Sequence, residues 1–210
     1  MTTLALELAP PRSRVAARVA FHVACAIVGA ALLSVLAQVS VPLPFTPVPI
    51  TGQTLGVLLV GAAYGPALGA STIVVYLAWA VVGLPVLAPN ADGSHDAGFA
   101  VLGAAAFTGG YLWGFLAAST IAGWLARRGW DRTFASAIGA MVLAEVVLYA
   151  IGLPWLSRAL ALAGLPSSLE ATFAAGLYPY IVGDVLKLLA AAAMLPGAWW
   201  AVERFRPRED

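Results

Sequence analysis

Three ionisable side chains lie inside segments that are otherwise apolar enough to cross a membrane. Asp184 and Lys187 lie in the last such segment, within the sequence GDVLK, and Glu145 lies midway through the preceding one. A charge at the centre of a membrane helix costs about 2.5–3.5 kcal/mol on insertion scales, so its presence indicates a function. Because Asp184 and Lys187 are three positions apart, they share one helix face and can neutralise each other.

Three interpretations of these charges are open from the residues alone. The first is a structural ion pair between helices, and the second is translocation of protons or ions through Glu145 and Asp184. The third is a binding site with apolar walls, in which Asp184 accepts hydrogen bonds from a polar small molecule and Lys187 donates them. Only the third interpretation predicts that both charges contact a ligand.

The composition is that of an integral membrane protein. Of the 210 residues, 61% are hydrophobic and 10% are charged, whereas a soluble domain normally has about a quarter charged residues. No Asp, Glu, Lys or Arg occurs between Arg18 and Asp92, a run long enough for about three crossings. Residues 19–39 exceed the apolar core of a signal peptide, so we interpret them as a retained helix. The net charge of +1 argues against a nucleic-acid partner.

Continuous apolar runs bounded by Pro, Gly or charge predict an all-α membrane protein with six transmembrane helices. We place the helices at residues 17–39, 52–64, 67–83, 107–126, 133–153 and 175–202. Residues 17–202 are thus the transmembrane domain, and residues 1–16 and 203–210 are cytoplasmic tails.

Six crossings group the basic residues on one side of the membrane. Nine of the eleven lie there, namely Arg12, Arg14, Arg18, Arg127, Arg128, Arg132, Arg204, Arg206 and Arg208. Only Arg158 falls on the other side, and Lys187 is within a helix. The positive-inside rule then predicts that the N and C termini are both cytoplasmic.

A proline-rich segment follows the first helix and faces outward on this topology. It reads VPLPFTPVPITGQT over residues 41–54, and its four prolines fix backbone dihedrals and prevent a helix. We predict a stiff loop between helices 1 and 2, which is either a tight connection or a cap over a cavity. Thr51, Gln53 and Thr54 at its end either cap the second helix or hydrogen-bond a ligand.

Two further features have more than one interpretation. The outward loop over residues 84–106 contains Asn90, Asp92, His95 and Asp96, which we interpret as solvated turn residues, so that no metal site is predicted. In the first helix, Ala16, Ala20 and Ala24 are spaced by four and allow another helix to approach closely. That helix belongs either to this chain or to another subunit.

Six segments, taken together and in order, carry a family resemblance. They are VPLPFTPVPITGQTLGVLL (41–59), GAAYGPALGASTIVVYL (61–77), GLPV (83–86), FTGGYLWGF (107–115), YAIGLPWL (149–156) and YIVGDVLK (180–187). They resemble the signatures of the BioY family, the biotin-specific substrate-binding components of energy-coupling-factor (ECF) vitamin transporters. The resemblance spans nearly the whole chain after the N-terminal tail.

The resemblance implies a multi-pass protein of the bacterial plasma membrane that binds biotin from outside, beneath a lid formed by the proline-rich loop. It also implies association with the ECF module, which consists of a transmembrane coupling protein and two ATPase subunits. Ala20 and Ala24 match the family's contact with the coupling protein. The resemblance implies biotin as ligand, no cofactor and no enzymatic activity.

The same resemblance implies a set of ligand contacts. Asp184 and Lys187 match the family's polar contacts in the last helix, and Asn90 matches an asparagine before the fourth helix. Biotin has two ureido N–H donors, a carbonyl and a carboxylate, so Asp184 suits the donors and Lys187 suits the carbonyl or the carboxylate. The predicted ligand-binding set is completed by Thr51, Gln53 and two aromatic residues that could flank the rings, Phe45 and Tyr149.

Two other functions are weighed against biotin uptake. One is binding or secondary transport of a different small vitamin-like molecule, because related binding components share an architecture while the ligand varies. The other is a membrane enzyme, which we disfavour because the sequence lacks H-E-x-x-H and G-x-S-x-G motifs. The sequence also lacks a phosphate-binding G-x-x-x-x-G-K-[ST] motif, so the chain does not itself couple ATP hydrolysis.

Overall fold

The computed structural model describes residues 2–11, 13–90 and 92–205. Within these residues there are eight α-helices, one 3-10 helix (Phe99–Leu102) and one two-stranded sheet. The α-helices are α1 (Leu4–Leu8), α2 (Val15–Gln38), α3 (Gln53–Tyr64), α4 (Pro66–Val81), α5 (Gly109–Ala126), α6 (Phe134–Leu162), α7 (Leu169–Gly176) and α8 (Ile181–Phe205). Arg12, Arg206 and Arg208 lie outside the described residues.

The helices form a bundle around α5, which packs against α3, α4 and α6. α2 packs against α3 and α4, and α8 packs against α3 and α6. The core consists of large buried side chains from most of these helices, among them Leu33, Leu58, Tyr76, Met141, Leu156 and Leu195. The outside is also apolar, for example at Val19, Val23, Ile27, Val28 and Val35 of α2. Helices that are hydrophobic all round are typical of a membrane protein.

Three helices of the described chain are both long and apolar enough to cross a membrane, at Val15–Gln38, Phe134–Leu162 and Ile181–Arg204. α3 and α4 are also apolar, but they have 12 and 16 residues, fewer than the roughly 20 that a straight crossing needs. The predicted number of six crossings therefore stays a prediction.

Six of the eight described basic residues lie at one end of the bundle, which we call the basic end. They are at the start of α2, the end of α5, the start of α6 and the end of α8, namely Arg14, Arg18, Arg127, Arg128, Arg132 and Arg204. Two contacts join the α5–α6 turn to α8: Trp199 Nε1 donates to Asp131 Oδ2 at 2.5 Å, and the Arg132 guanidinium lies 3.3 Å from the Trp199 ring centroid. Burial raises the pKa of Asp131. Arg158 lies near the other end of α6, opposite the basic end.

Glycine permits the tight junction between α3, α4 and α5. Gly65 joins α3 to α4 with φ +83, in the left-handed region that favours glycine. Pro66 begins α4, where its missing N–H leaves no helical hydrogen bond unmade. A Cβ atom on Gly123 of α5 would overlap the backbone of Gly65 and Pro66. The backbone of α5 is therefore in direct contact with the α3–α4 turn.

The proline-rich segment forms a short hairpin. Its ends are β1 (Ser40–Val41) and β2 (Ile50–Thr51), which pair antiparallel with Ser40 opposite Thr51 and Val41 opposite Ile50. The residues between them, 42–49, contain all four prolines. We call residues 40–51 the proline-rich hairpin.

The first four predicted helices agree with α2, α3, α4 and α5 to within two residues at each end, but two later boundaries are wrong. The fifth predicted helix ends at residue 153, whereas α6 continues through Pro154 to Leu162. The residues from 154 onward, which the predicted helix boundary leaves outside a helix, are therefore helical as far as Leu162. Proline removes only one helical hydrogen bond, and neighbouring groups in a membrane bundle can satisfy the carbonyl that is freed.

The last predicted helix begins at residue 175, but the structure divides this region. Residues 175 and 176 end the separate helix α7, and α8 begins at Ile181 after a turn. The composition stays apolar across this turn, so hydrophobicity alone does not mark the break. The division places Asp184 in the first turn of α8.

Candidate functional site

A cavity of about 480 Å³ lies toward the end of the bundle opposite the basic end. It is bounded by the proline-rich hairpin, α3, α5, α6, α8 and the loop after α4. Six of the seven predicted ligand residues line it, namely Thr51, Gln53, Asn90, Tyr149, Asp184 and Lys187. The structure does not bring Phe45 to the cavity, since the hairpin leaves this residue 66% exposed.

Asp184 is the centre of the polar network in this cavity. The residue is only 5% exposed, and its carboxylate receives hydrogen bonds from three elements. Lys187 Nζ of α8 donates to Oδ1 at 2.8 Å, Thr54 Oγ1 of α3 donates to the same oxygen at 3.4 Å, and the Tyr149 hydroxyl of α6 donates to Oδ2. Such bonding compensates for the burial of a charge, which would otherwise be costly.

Lys187 makes a second bond, because its Nζ also donates to Thr54 Oγ1 at 3.1 Å. An ammonium has three donors, so two are used and one remains for a ligand. A carboxylate has about four acceptor positions, of which Asp184 uses three. The pair can thus offer one acceptor and one donor side by side to a polar group.

Gln53 is buried at the start of α3, and both the NH2 group and the oxygen of its side-chain amide are hydrogen-bonded. Its Nε2 donates to the Tyr76 hydroxyl at 2.6 Å, and its Oε1 accepts from Thr51 Oγ1 at 3.0 Å. Tyr76 in turn donates to the carbonyl of Val86 at 3.0 Å. These bonds tie the end of the proline-rich hairpin to α4 and fix the polar wall of the cavity.

Aromatic and aliphatic side chains form the remaining wall. The Tyr111 and Tyr149 rings meet edge to face, with centroids 6.1 Å apart and planes at 90°. The Tyr111 hydroxyl donates to the Gly176 carbonyl at 2.8 Å, which leaves the faces of the rings as apolar surface. Phe115 and Leu148 also line the cavity. Such a wall suits a ligand with an apolar ring.

The proline-rich hairpin is fastened to the region between α7 and α8. Thr46 Oγ1 donates to the Ala175 carbonyl at 2.6 Å and accepts from the backbone N–H of Val48 at 3.2 Å. The Tyr180 hydroxyl donates to the Val48 carbonyl and lies 3.3 Å from the Ala175 carbonyl. The hairpin therefore covers the cavity through side-chain bonds to backbone carbonyls.

The loop after α4 brings polar groups to the same cavity. Asn90 Nδ2 donates to Ser94 Oγ and to Asp96 Oδ1, both at 3.1 Å, and Asn90 and Asp96 line the cavity. Hydrogen bonds from the hydroxyl and backbone N–H of Ser94 lower the pKa of Asp92. His95 Nε2 is 3.0 Å from Gln38 Oε1, which joins the loop to α2.

Glu145 lies beside this site without lining the cavity. Its carboxyl group is close enough to Asp184 and Lys187 to interact with them electrostatically. Its Oε1 is buried and has no hydrogen-bond partner within residues 2–11, 13–90 and 92–205. Glu145 therefore acts on Asp184 and Lys187 through electrostatic interaction rather than by contact with a ligand in the cavity.

Three site residues were missed by the sequence reasoning, namely Thr46, Tyr111 and Tyr180. Tyr180 could have been found from its spacing, because it is four positions before Asp184, one helical turn away. In the structure its carbonyl accepts the Asp184 N–H at 2.8 Å. Thr46 and Tyr111 carry no such signal, since their partners are backbone carbonyls in distant segments.

Comparison with known proteins gives a family match and several sequence relatives. A model of the BioY family matches residues 10–204. The biotin transporter BioY of Rhizobium etli is 32% identical over 161 residues, covering 73% of this chain and 79% of that protein. The probable biotin transporter BioY of Pyrococcus horikoshii is 36% identical over 161 residues, covering 77% of this chain and 85% of that protein.

A solved structure has the same fold. It is the S-component for biotin from an ECF-type ABC transporter, with a TM-score of 0.71 and 23% sequence identity. The match covers 90% of this chain and 94% of that chain. Since the family match extends over residues 10–204 and the relatives are more than 30% identical across most of both chains, this protein belongs to the BioY family.

Proposed function

We propose that this protein is the biotin-binding and uptake subunit of an ECF-type vitamin transporter, which captures biotin outside the cell with high affinity for transport inward. The observation that carries the proposal is the Asp184–Lys187 pair with Thr54, which offers one free acceptor beside one free donor in a cavity that also has an apolar, aromatic wall. A ureido group presents an N–H donor next to a carbonyl acceptor and is complementary to that arrangement. The relatives named as biotin transporters support the same ligand.

The remaining parts of biotin fit the other walls. Tyr111, Tyr149 and Phe115 offer an apolar surface for the fused rings, and Asn90 at the loop after α4 is a polar partner available to the tail. Binding of this kind needs no cofactor and no covalent step, so we assign the chain a binding role rather than an enzymatic one. Buried polar groups that lose their partners discriminate strongly against analogues.

Equilibrium binding tests this function most directly. Isothermal titration of the purified protein in detergent should show biotin binding at least about a hundredfold more tightly than lipoate, thiamine or riboflavin. Lipoate is the matched control, because it shares the pentanoate tail and a sulfur-containing ring but lacks the ureido group. Tighter binding of any of the other three ligands would favour the alternative, a binding component or secondary transporter for a different vitamin-like molecule.

We further propose that the basic end faces the cytoplasm of a bacterial cell, with six crossings of the plasma membrane and the cavity facing out. In a Cys25→Ala background, an impermeant thiol reagent applied to intact cells should label Ser94→Cys in the loop after α4. It should not label Gly129→Cys between α5 and α6. Labelling of Gly129→Cys alone would reverse the topology.

We also propose that α2 contacts the transmembrane coupling protein of the ECF module through Ala20 and Ala24, and that two ATPases complete the assembly. Both alanines are exposed on α2, and small residues spaced by four favour close helix packing.

Ala24→Trp should reduce co-purification of the coupling protein while leaving biotin affinity unchanged, because Ala24 lies at the basic half of α2, away from the cavity. Val35→Trp is a control at an exposed position in the outer half of the same helix. Equal co-purification of the parent and Ala24→Trp would contradict the assignment.

A further inference from the structure

A second cavity, of about 390 Å³, opens between α2 and α4 toward the basic end. Gly29 of α2 lies against Thr72 of α4, so the two helices run side by side here. On α4, the lining residues Ala67, Ser71 and Val75 recur every four positions and thus share one helix face. We call this cavity the α2–α4 groove.

The long walls of the α2–α4 groove are mostly apolar, and the groove is open to the outside of the bundle. Val23 and Ile27 line it and are also exposed, next to further exposed valines on α2. Where no other subunit covers it, this surface of a membrane protein faces acyl chains. A lipid tail can therefore enter the groove directly from the bilayer.

A single cationic side chain lies at the basic end of the groove. Arg127 lines it, together with the polar groups of His22 and Tyr64, and no acidic residue is among the described lining residues. Within the described parts of the chain the Arg127 guanidinium has no hydrogen bond, ion pair or ring contact. Its neighbours do have partners: Arg128 lies 3.3 Å from the Trp124 ring centroid, and Arg132 lies over Trp199.

We propose that the α2–α4 groove binds an anionic phospholipid, with the phosphate at Arg127 and one acyl chain along Val23, Ile27 and Val75. Guanidinium groups bind phosphate oxygens in a bidentate manner. Basic pockets between membrane helices bind anionic headgroups, and the cytoplasmic leaflet is the anionic one. The groove has this cation at one end and an apolar channel leading away from it. It can therefore hold both the headgroup and one acyl chain of a single lipid molecule.

Native mass spectrometry of the full chain tests the proposal, using phosphatidylglycerol and phosphatidylcholine with the same acyl chains. The parent protein should retain phosphatidylglycerol about fivefold more than phosphatidylcholine, and Arg127→Gln should remove that preference. Arg128→Gln is the matched control, because this neighbouring arginine stacks on Trp124 outside the groove and should keep the preference. Ala67→Trp fills the groove from α4 and should lower retention of both lipids.

Size-exclusion profiles and circular dichroism establish that each variant is folded. Equal retention of the two lipids by the parent, or an unchanged preference in Arg127→Gln, overturns the proposal. If Ala67→Trp instead lowers co-purification of the coupling protein while lipid retention is unchanged, the groove is a protein contact and the lipid assignment is wrong. None of these readouts depends on biotin binding, so the proposed function can fail or stand separately.

Discussion

Asp184→Asn should lower the affinity for biotin by about ten- to a hundredfold, which corresponds to one charge-assisted hydrogen bond of about 1.5–3 kcal/mol. The substitution replaces an anion that accepts three internal bonds with an amide that has only one acceptor oxygen. Isothermal titration of biotin into the purified variant measures the effect. Arg158→Gln is the control, because Arg158 lies opposite the basic end but does not line the cavity.

A purely structural ion pair predicts a different pattern. Removing one member leaves the other charge buried and alone, which costs about 3–5 kcal/mol of stability, whereas removing both together restores stability. We therefore expect the double variant Asp184→Asn with Lys187→Met to fold and insert but to bind biotin poorly. A biotin affinity within about threefold of the parent would show that the pair is structural.

Gly123→Val should lower the free energy of unfolding by about 3 kcal/mol, because the added side chain meets the backbone of Gly65 and Pro66, which cannot move aside as a side chain can. Thermal unfolding in detergent, followed by tryptophan fluorescence, measures this loss. Gly197→Ala is the control, since a Cβ atom there meets nothing within 4 Å. That control should raise stability by about 0.4–1 kcal/mol. A Gly123→Val protein as stable as the parent would show that α5 can move away from the α3–α4 turn.

The sequence predicts those parts of the site whose residues are energetically unusual within their own segment. Asp184 and Lys187 are conspicuous because charge in an apolar helix is expensive. The proline-rich hairpin is recognisable because four prolines prevent a helix. The resemblance to the BioY family then connects these segments and predicts the ligand.

The other parts depend on tertiary structure. The hairpin is fastened by Thr46 and Tyr180 to carbonyls that are distant in sequence, and neither side chain indicates its partner in advance. Phe45 was expected at the ligand because it is aromatic, but the conformation of the hairpin decides which side chains enter the cavity. The helix boundary near Pro154 was missed for a similar reason, because the surrounding bundle decides whether a proline ends a helix.

On the proposed topology, the length of α3 sets how far into the membrane a ligand travels when it binds. α3 has 12 residues and begins in the polar network at Gln53 and Thr54. Its other end, Tyr64, is beside the basic end, so Thr54 lies about 15 Å above that end at 1.5 Å per residue. The hydrocarbon core of a bilayer is about 30 Å thick. On the proposed topology, binding alone brings the vitamin about halfway across the permeability barrier, and the energy-coupled step has only the remaining half to cover.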